Sequence, residues 1–211
     1  KETVEKELRE NNNQFKTLNY SSMKRFVNVV FEKVKYESHL KDPWKYFTQE
    51  LSNAEGQVCL RPFINMLTTE GRNGNVISQA KKSTKRYVKC IIESEIYANK
   101  DIRIYASKQY FDDLCQDEFS IGLMYFGNYL ESSKGKEYRK KILRESELDS
   151  LLENVFYEYK DKFQETVENK DDLRRLLEAN GIIAMRPGRG RKDYEFAPMY
   201  IYLWQLKNII V

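Results

Sequence analysis

Histidine and cysteine, which supply most transition-metal ligands in proteins, are scarce in this chain: its 211 residues include one histidine and three cysteines. His39 has no set of further ligands at metal-binding spacing, which argues against a zinc or iron site. The three cysteines, Cys59, Cys90 and Cys115, lie far apart, form no CxxC pair and follow no signal peptide. We therefore expect inert thiols and a cytoplasmic protein.

Long apolar runs are also absent, since no stretch approaches the roughly 18 residues of a membrane-spanning helix. Hydrophobic residues make up 41% and charged residues 32% of the chain, which excludes wholesale disorder and predicts a soluble globular protein with no membrane partner. The net charge of +4 is too small to indicate nucleic-acid binding by itself. Only local clustering of the cations could do so.

The most specific local pattern is a short helix near the C-terminus. Asn169 is placed to cap it, and Asp171 and Asp172 fall in its first turn, where carboxylates oppose the positive end of the helix dipole. Leucines 173, 176 and 177 form one apolar stripe, which leaves Arg174 and Arg175 pointing away from the core. Gly181 stands where a left-handed residue commonly ends a helix.

A basic hairpin is predicted directly after this helix. Ile182–Met185 reads as an apolar strand, Pro187–Gly190 as a turn and Tyr194–Phe196 as the returning strand. Four cations crowd the turn: Arg186, Arg189, Arg191 and Lys192. Helix, strand, basic turn and strand in this order resemble the end of a winged helix, and the resemblance implies a role in binding.

Apolar spacing predicts helices through most of the remaining chain. The predicted segments are a charged arm over 1–10, Tyr20–Tyr36, helices starting near Pro43 and Pro62, Val76–Ala98, Ala106–Asp117, Phe119–Tyr129, and a helix capped by Ser146 and Asp149 that runs to Phe163. Lys136–Leu143 fits either a helix or a strand. We expect a mainly α chain in two parts, a helical bundle over 1–103 and a winged-helix domain with a small C-terminal β-hairpin over 104–211.

The order of these segments resembles the C-terminal region of bacterial P-loop ATPases related to the AAA+ and STAND classes, in which a helical lid precedes a winged helix. The matching segments are Trp44–Phe47 and Arg61–Leu67, similar to lid helices, Ile104–Leu114, similar to the linker helix, and Leu173–Phe196, similar to the winged end. Because the chain begins at Lys1 without a methionine, we expect it to be a C-terminal fragment of such a protein or a trimmed chain.

The chain departs from the ATPase pattern because it has no G-x-x-x-x-G-K-[ST] motif, whose amides would cradle phosphates. We therefore expect no enzymatic activity and no cofactor in this segment, with ATP and Mg²⁺ bound only by an upstream core. The resemblance implies that Arg61, at the start of a lid helix, reaches nucleotide phosphates. The alternative is an ordinary surface arginine.

Two interpretations of the basic helix and turn stay open. In the first, Arg174, Arg175, Arg186, Arg189, Arg191 and Lys192 contact double-stranded DNA, with the turn in the minor groove. In the second, the unit packs on the ATPase core, on a neighbouring subunit or on a second copy of the chain. A free-standing winged-helix transcriptional regulator and a structural protein–protein interaction module are the alternatives to the ATPase hypothesis.

Overall fold

The computed structural model describes residues 20–36, 39–58, 60–68, 75–76, 78–79, 92–163, 166–186 and 192–207. Within these ranges the chain is mainly helical with two small antiparallel sheets, as the sequence predicts. The helices are α1 (Tyr20–Val30), α2 (Pro43–Glu50), α3 (Leu60–Thr68), α4 (Ser94–Tyr97), α5 (Lys100–Leu114), α6 (Ile121–Glu131), α7 (Glu145–Tyr159) and α8 (Lys170–Ala179). The strands are β1 (Val34–Tyr36), β2 (His39–Lys41), β3 (Ile142–Arg144), β4 (Ile183–Arg186) and β5 (Asp193–Phe196).

Two of the long helices predicted in the first half are shorter in the structure than the sequence predicts. Helix α1 ends at Val30 and not at Tyr36, because Phe31 bridges in parallel to Ile92 and the next residues enter a hairpin of β1 and β2. The same bridge interrupts the helix expected over Val76–Ala98, although most of that segment and the arm over 1–10 lie outside the described residues. Long-range backbone pairing overrides helical spacing at both places.

The first-half core is built on aromatic side chains from separate elements. The Phe31 ring meets Phe47 and Tyr97 edge-on, with centroids 5.0 and 5.1 Å apart. Phe63 of α3 closes the group at 5.0 Å from Phe47. Val27, Met66 and Ile102 are among the aliphatic residues buried in the same cluster.

In the second half, the helices α6, α7 and α8 share one hydrophobic core with a three-stranded sheet. The strand order is β3-β5-β4, all antiparallel, so the last strand lies in the centre. The sequence did not decide between a helix and a strand for Lys136–Leu143. In the structure Ile142–Arg144 is the strand β3. On the inner face Leu143, Tyr194 and Phe196 are buried with the leucines of α7 and α8.

Helix α2 begins at its predicted cap, whereas α7 does not. Asp42 accepts a hydrogen bond from the Lys45 amide at 2.8 Å, with Pro43 at the first helical position. At α7, however, Ser146 is already helical, and the Glu147 side chain accepts from the Arg144 amide at 2.9 Å. The predicted cap of Ser146 and Asp149 is wrong because β3 runs directly into α7 and starts the helix earlier.

The two hydrophobic cores meet along α5. Ile102 and Ala106 belong to the first core, whereas Phe111 belongs to the second. Asn99 starts this helix by accepting from the Asp101 amide at 2.8 Å, so α5 begins several residues before the predicted segment Ala106–Asp117. The predicted division between 103 and 104 therefore falls inside one continuous helix.

Candidate nucleic-acid interface

The predicted turn between β4 and β5 is flanked by cations that the sheet register aligns. Arg144, Asp193 and Arg186 are paired across the three strands at the end nearest the turn. Residues paired across antiparallel strands point to the same face, so Arg144 and Arg186 share the outer face with Asp193 between them. Both arginines are exposed. The sheet thus presents cations beside the turn, as the hairpin pattern predicts.

Each of the two predicted contact residues beside the turn is held in an ion pair. Arg186 Nε lies 3.2 Å from Glu195, which Lys141 approaches from the other side at 2.9 Å. Lys192 Nζ lies 3.4 Å from Glu145. Both cations remain about half exposed or more, at 48% and 64% of the side chain, so water screens these pairs. Arg189 and Arg191, also predicted contacts, lie outside the described residues.

Helix α8 begins as the sequence predicts. Asn169 accepts from the amides of Asp171 and Asp172 at 2.8 and 3.2 Å, while the Asp172 carboxylate accepts from the Asn169 amide at 3.2 Å. Leu173 and Leu177 are fully buried, and Gly181 is left-handed with φ +61°. The first turn of α8 therefore carries two carboxylates.

The two arginines of α8 differ in their surroundings. Arg175 is 76% exposed and lies 3.5 Å from Asp172. Arg174 does not point freely into solvent: it pairs with Asp149 of α7, lies over the Tyr194 ring at 5.6 Å and is only 20% exposed. The prediction that both arginines point away from the core is wrong for Arg174, because α7 packs close enough for Asp149 to pair with its guanidinium.

Arg61 contacts another helix. Its Nε and Nη2 donate to the same oxygen of Asp113 at 3.2 and 3.0 Å, and its side chain is 61% exposed. The pair joins α3 to α5 across 52 residues of sequence. This position is compatible with either interpretation given above, and the nucleotide-sensing role stays a prediction.

Sequence reasoning missed Arg144 and Lys141 as part of the basic surface. Arg144 is exposed and forms no ion pair within the described residues. Both residues lie at or beside β3, which joins the sheet through the distant β5. The basic run Lys136–Leu143 was the available signal, but its spacing did not decide between helix and strand.

A shallow cleft of about 290 Å³ lies beside this sheet, lined by Glu137, Tyr138, Lys140, Ser146, Glu147 and Ser150. Lys140 donates to Glu147 at 2.5 Å, and this hydrogen bond lowers the pKa of the Glu147 carboxyl. Glu147 also accepts a hydrogen bond from the Arg144 amide, which fixes the start of α7.

Three or more His, Cys, Asp or Glu side chains do not converge on a metal position anywhere in the described segments. Among the described helices, none has both the length and the apolar character needed to cross a membrane.

No protein-family model matches this sequence, and neither a curated protein nor a solved structure matches it significantly.

Proposed function

We propose that this chain is the non-catalytic regulatory and interaction region of a cytoplasmic P-loop ATPase, and that residues 104–211 form a winged helix that contacts DNA through its basic turn. The observation that supports the proposal is the order α6, β3, α7, α8, β4, β5 with a β3-β5-β4 sheet. Three helices and a three-stranded sheet in this arrangement are expected of a winged helix, and the cations flank its wing.

The charge distribution favours contact through the wing more than through α8. Asp171 and Asp172 would repel phosphates at the start of α8, and Arg174 is occupied by Asp149. Arg186 and Lys192, by contrast, have counterions but remain accessible, so phosphate oxygens can replace Glu195 and Glu145 at small cost. We therefore expect binding to the DNA backbone and minor groove with little sequence preference.

The test is binding to labelled duplex DNA at 50 and 200 mM salt, with a variant in which Arg186, Arg189, Arg191 and Lys192 are alanine. If four phosphate contacts form, affinity falls about 10²-fold between the two salt concentrations, and the variant loses this dependence. The matched control replaces four exposed lysines of the first half: Lys24, Lys33, Lys35 and Lys45.

Equal binding by the two variants would reject the wing as the contact, because both lose the same charge.

The ATPase part of the proposal has a separate test. The full coding sequence should contain a G-x-x-x-x-G-K-[ST] motif upstream of this region, and the full-length protein should bind ATP only with that lysine intact. A full-length protein without such a motif would reject it.

A second candidate function is a packing module for a neighbouring subunit or a second copy. The acidic first turn of α8 and the pairing of Arg174 favour it, since a protein surface with basic groups would complement Asp171 and Asp172. Sedimentation across a concentration series, with Asp171 and Asp172 changed to Asn, tests self-association. A monomer at every concentration would exclude the second copy as partner.

A further inference from the structure

One stripe of residues along α5 packs against the segment that follows β5. Its contacts change from polar at one end of the helix to apolar at the other. Arg103, Ser107 and Phe111 recur at four-residue spacing, so they lie on one face of the helix. All three are buried, with 5%, 1% and 7% exposure. Their partners in the C-terminal segment are Tyr202 for Arg103, the Met199 carbonyl for Ser107, and Tyr200 with Trp204 for Phe111.

The Phe111 end of the stripe is apolar. Its ring meets Trp204 edge-on at 5.2 Å and Tyr200 at 5.9 Å, and it lies against Gly127 of α6. Withdrawing this ring would expose several aromatic faces to water and leave a cavity. Phe111 therefore fixes the C-terminal half of α5 to the second core.

The Arg103 end is polar, and its groups come from both halves of the chain. Arg103 pairs with Glu50 of α2, and its guanidinium lies 3.9 Å above the Tyr202 ring. Glu50 and the Arg103 end of α5 both belong to the first half, so this ion pair stays in place when Tyr202 leaves. Water can replace the contact between the Arg103 guanidinium and the Tyr202 ring, whereas withdrawing Phe111 would leave a cavity, so separation costs less at the Arg103 end.

A second polar contact lies on the same interface. The Ala54 amide donates to the Gly181 carbonyl at 2.8 Å, which joins the loop after α2 to the end of α8. In the middle of the stripe the Ser107 hydroxyl donates to Met199 at 2.7 Å. Among the described residues, the contacts named here between the first half and the C-terminal part of the chain are polar, whereas those of Phe111 are apolar.

We infer that α5 is a hinged joint between the two halves, with Phe111 as the fixed anchor and Arg103 as a latch that releases without unfolding either core. Release separates Tyr202 and Gly181 from the first half. The second half then rotates relative to the first, with the Phe111 end of α5 as the pivot. The joint is a property of this chain alone and holds whether or not it binds DNA or belongs to an ATPase.

Hydrogen exchange of single amides, followed by NMR on the whole chain, tests the joint. In Arg103→Met we expect the Ala54 amide to exchange at least tenfold faster, because its acceptor Gly181 lies across the joint, while amides of the buried α7 core such as Leu152 keep their rates. The matched control is Arg61→Met, which removes an exposed cation that also pairs with α5 and should leave Ala54 unchanged.

Unchanged exchange at Ala54 in Arg103→Met would overturn the latch, as would an equal acceleration at Ala54 and Leu152, which reports global destabilisation. Because Arg103→Met leaves Glu50 with one cation fewer, a second variant, Tyr202→Leu, removes the covering ring while keeping the ion pair. It should accelerate Ala54 in the same selective way, and it decides the question if Arg103→Met does not fold.

Discussion

The ring of Phe111 lies so close to the α-carbon of Gly127 that a Cβ there would meet the ring at 2.6 and 2.9 Å. Phe111 cannot withdraw easily, because Tyr200 and Trp204 hold its other side. The contact joins α5 to α6 and explains why a glycine occupies the middle of a buried helix, where alanine would have the higher helix propensity.

Gly127→Ala should destabilise the protein by about 1–3 kcal/mol, because overpacking outweighs the propensity gain of about 1 kcal/mol. Urea denaturation measures the change. Phe111→Leu alone should also destabilise, but the double variant should be more stable than the sum of the two effects predicts, since the smaller side chain makes room for the methyl group. Strict additivity would show that the two residues do not interact.

Gly135 and Gly122 should respond differently to alanine. At Gly135 the new Cβ would lie 2.2 Å from the Tyr129 carbonyl oxygen, and a backbone atom cannot move aside, so we expect a loss of about 3 kcal/mol or more. At Gly122 the nearest atom is the end of the half-buried Leu176 side chain at 2.8 Å, which can rotate. We expect a change within about 1 kcal/mol there, and thermal unfolding of both variants tests this order.

Removing the cap of α8 should cost stability. Asn169→Ala leaves the amides of Asp171 and Asp172 without their acceptor, which should lower the free energy of unfolding by about 1 kcal/mol. Asn169→Asp should retain most of the stabilisation by the cap, because aspartate caps helices as well as asparagine does. Lys170→Ala, one position along, serves as the control in the same urea titration, and an equal loss in both alanine variants would contradict the capping role.

Cys115 should react slowly with alkylating reagents. Burial raises the pKa of this thiol to about 12, with a further contribution from Asp112. At pH 8 the reactive thiolate is then ~10³-fold rarer than in an unperturbed cysteine, and iodoacetamide labelling should slow accordingly. Peptide-resolved mass spectrometry separates Cys115 from the other two cysteines. Asp112→Asn should speed its labelling, and a rate equal to that of a free peptide thiol would contradict the shift.

Alkaline unfolding should report on Tyr46. Burial raises the pKa of its hydroxyl to about 12, so the folded state keeps a proton that the unfolded chain releases near pH 10. Its contribution to stability is complete below pH 10 and is lost as the pH rises toward 12. Tyr46→Phe should remove this loss of stability between pH 10 and pH 12.

The comparison for Tyr46 is Tyr157→Phe, whose ring is 70% exposed. This variant should follow the wild type in the free energy of unfolding from pH 9 to pH 12. If Tyr46→Phe shows the same pH dependence as Tyr157→Phe, burial of Tyr46 does not contribute to the alkaline loss.

Of the candidate site, the hairpin and its flanking cations could be predicted, but their electrostatic partners could not. Alternation of apolar and polar residues locates β4 and β5 without reference to other parts of the chain. Glu145, which pairs with Lys192, and Asp149, which pairs with Arg174, belong to a different helix. Which cations remain accessible depends on how α7 packs, and no local pattern encodes that.

Features whose causes lie within a few residues could be predicted from local patterns. These are the Asn169 and Asp42 caps, the left-handed Gly181, the apolar stripe of α8 and the basic hairpin, each specified by side chains that act on nearby backbone. The tertiary structure alone decided where α1 stops, that β3 joins the sheet, and that Arg103 lies between Glu50 and Tyr202. Those outcomes depend on contacts between residues tens of positions apart, where packing and backbone pairing outweigh local propensity.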